Sequence, residues 1–250
     1  MTDAAPPPPP GPWPDIRASY DVVAATYAER VGGELAGKPA DRDLLDRFAA
    51  AVDGGPVWDV GCGAAGHVTR YLADRGVAVT GVDLSPGVVA EARRRQPGLE
   101  FRVADLRELP VADGSLAGIV ALWSVIHLPR PQIPAALAGF RRALAPGGSL
   151  IIAMHGRVIA EPPAARPDGS ADQGRPDGGG PGELVRAQAF GHPVELRATL
   201  VTHAELTGAL AAAGLAVSWS QERDPDPGPG ETATRRVWAW AHRPGRGAGG

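Results

Sequence analysis

The chain has 250 residues and a net charge of −3, which allows one large buried core but no basic field for nucleic acid or an anionic membrane. Its single cysteine, Cys62, excludes an internal disulfide, and with no cysteine cluster no metal site is expected. No apolar stretch approaches membrane-spanning length, and no basic start leads into an apolar block, so a cytoplasmic protein is expected.

Residues 1–14 carry a run of prolines and little to bury, which predicts a disordered or polyproline II tail. Residues 16–30 have helical spacing, with Tyr20, Val23, Ala24 and Tyr27 on one face. Residues 41–52 repeat the pattern with Leu44, Leu45 and Phe48, and 15–52 reads as a helical cap. A short apolar strand at 57–60 runs into Gly61-Cys62-Gly63-Ala64-Ala65-Gly66, then a helix with Val68, Tyr71 and Leu72 inward. A second strand at 77–82 ends at Asp83; further strands follow at 100–103, 119–122 and 149–154. This alternation implies an α/β fold, a mostly parallel sheet with helices on both faces.

After Met154 the pattern breaks. Residues 160–182 are rich in Gly and Pro and predict a flexible loop. Residues 183–190 read as a short helix and 194–200 as a strand. Thr202 can N-cap a helix over 204–213, with Glu205 in the capping-box position and Gly214 as the stop. Strands at 215–222 and 234–241, joined by a turn-rich 224–230, suggest a terminal antiparallel hairpin. Residues 15–243 thus form one domain, with 244–250 a disordered tail.

Glycines let the backbone approach a ligand closely, and an acid about 20 residues on can accept both hydroxyls of a ribose. The ligand therefore carries a ribose, as adenosine does. The bare G-x-G-x-x-G pattern is shared with NAD enzymes, but Asp59 lies inside the first strand, two residues before Gly61. An acid there would repel a pyrophosphate and favour an ammonium, through ordered water or a backbone link. Asp105 follows the third strand with Leu106 beside it, and Leu144-Ala145-Pro146-Gly147-Gly148 leads into the fifth. This ordered set resembles the class I S-adenosylmethionine-dependent methyltransferases. Tyr20-Asp21…Tyr27 and Lys38-Pro39-Ala40-Asp41-Arg42 make it similar to small tailoring enzymes of actinobacterial type.

The resemblance implies a Rossmann-like, doubly wound seven-stranded sheet with an antiparallel last strand inserted between the fifth and sixth, and an N-terminal helical cap. It implies S-adenosyl-L-methionine as cofactor. Asp59, Gly61 and Gly63 would hold the methionine end and Asp83, with Leu84 beside it, the ribose. Asp105 and Leu106 would contact adenine, and Tyr20 or Tyr27 would close over the reacting centre. Lys38 or Arg42 would serve the methionine carboxylate or stand as solvated charges.

Trp123 follows the fourth strand, where it either stacks on adenine or the sulfonium or packs under the next helix. His127 and His155, both near the carboxyl edge of the sheet, are the candidate catalytic residues: a general base for a hydroxyl, or hydrogen-bonded structural groups. His192 is placed beside the acceptor pocket, His203 and His67 are read as structural, and Cys62 as a small residue in a tight turn. The implied reaction is direct methyl transfer to a small-molecule acceptor, a secondary metabolite, with oxygen preferred over nitrogen or carbon. A non-transfer reaction such as cyclisation, or a non-catalytic binding protein on the same fold, stays open. The expected partners are the small molecule and at most a second copy, as monomer or homodimer.

Overall fold

The computed structural model describes residues 15–159, 182–225 and 232–245. The expected N-terminal tail, most of the C-terminal one and nearly all of the expected 160–182 loop lie outside the described residues, as does most of the turn at 224–230. The chain opens with α1 (Ile16–Val31) and α2 (Pro39–Ala51). Then come β1 (Val57–Val60), α3 (His67–Ala73), β2 (Val79–Asp83), α4 (Pro86–Arg95) and β3 (Glu100–Val103). They are followed by β4 (Leu116–Leu122), α5 (Ile133–Ala143) and β5 (Leu144–Val158). The C-terminal part contains β6 (Glu183–Ala189), β7 (His192–Thr199), α6 (His203–Ala212), β8 (Ala216–Arg223) and β9 (Thr234–His242).

The main sheet has the order β3-β2-β1-β4-β5-β9-β8. The first five of these strands run parallel, and β9 is antiparallel to both β5 and β8. The last strand is therefore inserted as expected. Its central strands are apolar on both faces because helices cover both. Ile119, Ala121, Leu150 and Ile152 pack toward α5 and α6, with Leu137, Phe140 and Leu210. Val120, Ile151 and Ala153 point the other way, toward Leu44, Leu45 and Phe48 of α2 and Leu72 of α3. Gly118 lies on β4 where an added Cβ would stand 2.7 Å from the Phe48 ring, so the smallest residue permits that helix to seat.

Thr202 caps α6 with a full capping box to Glu205, as its sequence predicts. Residues 183–190 correct the expectation of a helix. Their Glu, Leu, Arg, Ala and Gln favour a helix locally, but β6 pairs antiparallel with β7 in a separate two-stranded sheet. The loop between them is Phe190-Gly191, both with positive φ (54° and 80°). That is the type I′ geometry whose twist matches a hairpin. Pairing Leu184 with Ala198 and Arg186 with Leu196 puts one side of the hairpin against the main domain, and this burial overrides local preference. No helix among the described residues is long and apolar enough to cross a membrane.

Candidate active site

The carboxyl ends of β1, β2, β4 and β5 open into a cavity of about 580 Å³, roofed by α1 and the β6–β7 hairpin. Twelve residues that the sequence proposed for cofactor or catalysis line it: Tyr20, Tyr27, Asp59, Gly61, Gly63, Asp83, Leu84, Asp105, Leu106, Trp123, His127 and His155. Elements far apart in the chain thus converge on one space, at the sheet edge where open α/β folds bind ligands.

The glycine turn is built by backbone constraint. Gly61 has φ +79°, and an added Cβ would stand 2.2 Å from Ser124 Cβ, so no other residue fits. Its N–H and that of Cys62 both donate to the Val82 carbonyl (2.7 and 3.0 Å), which welds the turn to the end of β2. Gly63 (φ +66°) lies under Tyr27, whose ring would be 3.2 Å from an added Cβ. The Gly63 N–H donates to Asp83 Oδ2 (3.2 Å) and the Ser85 N–H to Asp83 Oδ1 (3.0 Å). These bonds orient both carboxylate oxygens, while burial pushes the acid up to about 6. Asp59 is buried in β1 and is likewise pushed up to about 6 by burial, although the Thr69 hydroxyl donates to it at 2.6 Å.

Asp105 is held by Arg107, whose Nη2 lies 2.5 Å from Oδ2. Burial works against ionisation there, but the Arg107 guanidinium and backbone N–H hold the acid below its usual range. Leu106 packs on the main core while lining the cavity, and Leu84 lines it while 37% exposed.

Another part of the cavity wall is aromatic and basic. Trp123 takes φ +58°, an unusual conformation for a bulky residue. Its N–H donates to the Ala153 carbonyl (3.1 Å). One ring neighbour is His155, stacked at 5.1 Å, and another is Trp238, edge-on at 5.3 Å. The Arg236 guanidinium lies 4.9 Å from the same ring. Trp123 therefore both packs and faces the cavity.

The two histidines are locked in opposite tautomers. His127 Nδ1 lies 2.8 Å from the Arg197 carbonyl, an acceptor only, so Nδ1 carries the proton. Its Nε2 lone pair receives the Tyr20 hydroxyl at 2.8 Å. His155 Nδ1 lies 2.6 Å from Arg236 Nη1, a donor only, and 2.8 Å from Thr234 Oγ1. That nitrogen is an acceptor, so the His155 proton sits on Nε2. Burial, then the Arg236 charge, pushes His155 well below the usual histidine range; burial lowers His127 too. Both reach the cavity as the sequence proposed, but the lone pair each would need as a base is already engaged.

The remaining candidates fall outside the cofactor set or join the cavity unexpectedly. Lys38 pairs with Glu34 (2.8 Å), and Arg42 donates to the carbonyls of Leu35 and Ala36; neither lines the cavity. They brace the loop between α1 and α2. His192 meets Thr26 Oγ1 (3.4 Å) outside the cavity, because the hairpin turns it toward α1. His203 bonds Ser220 Oγ (2.8 Å) and is structural. His67, read as structural, lines the cavity with Glu34, 3.1 Å from its Nε2. Burial pushes Glu34 up, but His67 and Lys38 outweigh it and hold the acid down to about 2. Glu34, His67 and Arg186 were missed as site residues. His67, directly after the glycine turn, was the readable signal; the other two depend on how the cap and hairpin fold over.

Residues 57–148 match a family model described as a methyltransferase domain. Trans-aconitate 2-methyltransferase of Methylobacterium nodulans is 38% identical over 49% of this chain and 51% of its own. Methyltransferase GfsG of Streptomyces halstedii is 38% identical over 57% of this chain and 49% of its own. The CcbJ methyltransferase of Streptomyces caelestis superposes with a TM-score of 0.66 at 18% identity, covering 93% of this chain and 100% of that one. The last likeness is one of fold. The chain spans about half the length of the curated relatives it matches. Residues 57–148 thus match a methyltransferase domain, on a fold shared with S-adenosylmethionine-dependent methyltransferases, and the cofactor these likenesses support is S-adenosylmethionine. The residues fit that group. The end of the cavity around the glycine turn holds buried carboxyls suited to a cation, an ammonium and hydroxyl donors, and the Gly63 cradle would be filled by a Cβ.

Proposed function

We propose that the chain transfers a methyl group to an oxygen atom of a small-molecule acceptor, in the manner of a secondary-metabolite tailoring enzyme. The observation that carries this reading is one cavity lined by two chemically different sets of residues, the glycine turn with Asp59 and Asp83, and Trp123 with His127 and His155. When bound, S-adenosylmethionine supplies a methyl group already activated on a sulfonium. Asp83, oriented by Gly63 and Ser85, accepts the ribose hydroxyls. Asp59 offers negative charge to the methionine ammonium through ordered water or the backbone it carries. Leu84, Asp105 and Leu106 border the adenine, while Gly61 and Gly63 admit the ligand close to the backbone. Tyr20 and Tyr27, on α1, exclude water from above. Alignment and dehydration are the protein's main contribution, and the histidines act through the hydrogen bonds they hold. The relatives' names as methyltransferases support the reaction class. We further propose a cytoplasmic setting and a monomer or homodimer.

The test is incubation with labelled S-adenosylmethionine and a panel of small acids, phenols and amines. Stoichiometric S-adenosylhomocysteine and methylated product support the reading. Cofactor binding with a product that gained no methyl would replace it with a non-transfer reaction. Absence of cofactor binding by calorimetry would point to an accessory protein.

A further inference from the structure

The acceptor end of the cavity is built to hold an anion without removing a proton. His155 cannot take a proton at Nδ1, because its one lone pair there receives an Arg236 guanidinium N–H, with the Thr234 hydroxyl alongside. It presents Nε2–H instead, on a ring that lines the cavity. His127 Nε2 is covered by the Tyr20 hydroxyl. Facing them is the inner side of the hairpin, where Leu184, Arg186, Leu196 and Ala198 line the same space. Arg186 donates to Thr232 Oγ1 (3.2 Å), a second lining residue, which ties its guanidinium to the cavity wall. Its positive charge acts on both the Tyr20 phenol and His155. The acids Asp59 and Asp83 lie around the glycine turn, and the Asp83 charge also acts on the Tyr20 phenol.

We infer that the acceptor is a carboxylate on an apolar body, held by His155 Nε2–H and Arg186 and methylated on its own oxygen to give an ester. The inference rests on the methyltransferase reading. A carboxylic acid is ionised near neutral pH, so its nucleophilic oxygen needs no base, whereas an alcohol must lose a proton. One carboxylate oxygen forms a bond to the methyl carbon as the carbon–sulfur bond breaks. The electron pair stays on sulfur, which loses its positive charge; no proton moves. Leu184, Leu196 and Ala198 supply the apolar wall for the rest of the acceptor.

The experiment is calorimetry on the full chain saturated with S-adenosylhomocysteine. The probes are phenylacetate and octanoate, each against its amide. At least one carboxylate should bind about tenfold or more tightly than its amide, the scale of a charge-assisted bond. Arg186→Gln should abolish that preference while leaving amide and S-adenosylhomocysteine affinities within about twofold. Equal binding of acid and amide, failure of both acids to bind, or an equal loss for both in the variant, overturns the inference. Failure of S-adenosylhomocysteine to bind the wild type overturns the methyltransferase reading and this with it; normal cofactor binding without carboxylate preference overturns this alone. Nitrogen-15 shifts of His155 in the wild type need no variant. A protonated Nε2 and bare Nδ1 are expected, and a protonated Nδ1 would contradict the donor role.

Discussion

Asp83 concentrates much of the site's chemistry in one side chain. Its oxygens are oriented by the Gly63 and Ser85 N–H groups, so the remaining lone pairs face the cavity. Asp83→Ala should weaken S-adenosylhomocysteine binding by roughly 2–4 kcal/mol, two charge-assisted bonds. Calorimetry on the folded variant checks this, and unchanged affinity would remove Asp83 from the ribose site. Burial places its ionisation at about 6. The ionised form accepts hydroxyls best, so affinity is full above that value and falls as the pH drops through it. Titrations from about pH 5 to pH 8 should show a decline approaching tenfold per unit on the acid side. A flat profile would mean that Asp83 is ionised throughout. Tyr20 makes a different contribution. Its hydroxyl satisfies His127 Nε2, and Tyr20→Phe leaves that nitrogen without its donor. The expected loss is about 1–3 kcal/mol of unfolding free energy, read by urea denaturation; no loss would mean that water replaces the phenol.

At the scale of elements, the β6–β7 hairpin matters most to the cavity. Its turn forces Phe190 into φ +54°, and the residue is buried, edge-on to Tyr27 at 5.3 Å. The left-handed backbone is held because the ring fills the space between hairpin and cap. Gly191, at φ +80°, has nothing within 4 Å of an added Cβ. Gly191→Ala therefore isolates the backbone cost, expected to be about 1–2 kcal/mol. A chemical melt showing no change would contradict the type I′ turn.

Across the whole molecule, the cap and hairpin brace each other over the sheet. Ser19 Oγ donates to the Glu195 carbonyl (3.0 Å) and accepts the Glu195 N–H (3.1 Å), while Val23 packs with Ala189, Phe190 and Leu196. A ligand in the cavity touches the sheet edge and both roof elements, so binding should stabilise all three together. S-adenosylhomocysteine at about 100 times its dissociation constant should add about 2.7 kcal/mol to unfolding. Amide exchange should slow in α1 and the hairpin as well as at the glycine turn. Protection confined to the turn would show that the roof does not close on the cofactor.

The amino-acid order alone determined the parallel sheet, because strands buried on both faces leave continuous apolar runs and the turns between them require glycine at Gly61 and Gly63. It also placed Asp59, Asp83 and Asp105, since strand ends in such a sheet converge whatever the helices do. Tertiary structure decided what is non-local. The strand conformation of 183–189 depends on a partner strand and on burial of Leu184 and Ala198, neither visible in a helix-favouring local composition. The tautomers of His127 and His155 were equally beyond periodicity. They are set by Arg197 and Arg236, 70 and 81 residues away in the chain. A histidine's usefulness as a base is a property of its hydrogen-bond partners, and only folding supplies those.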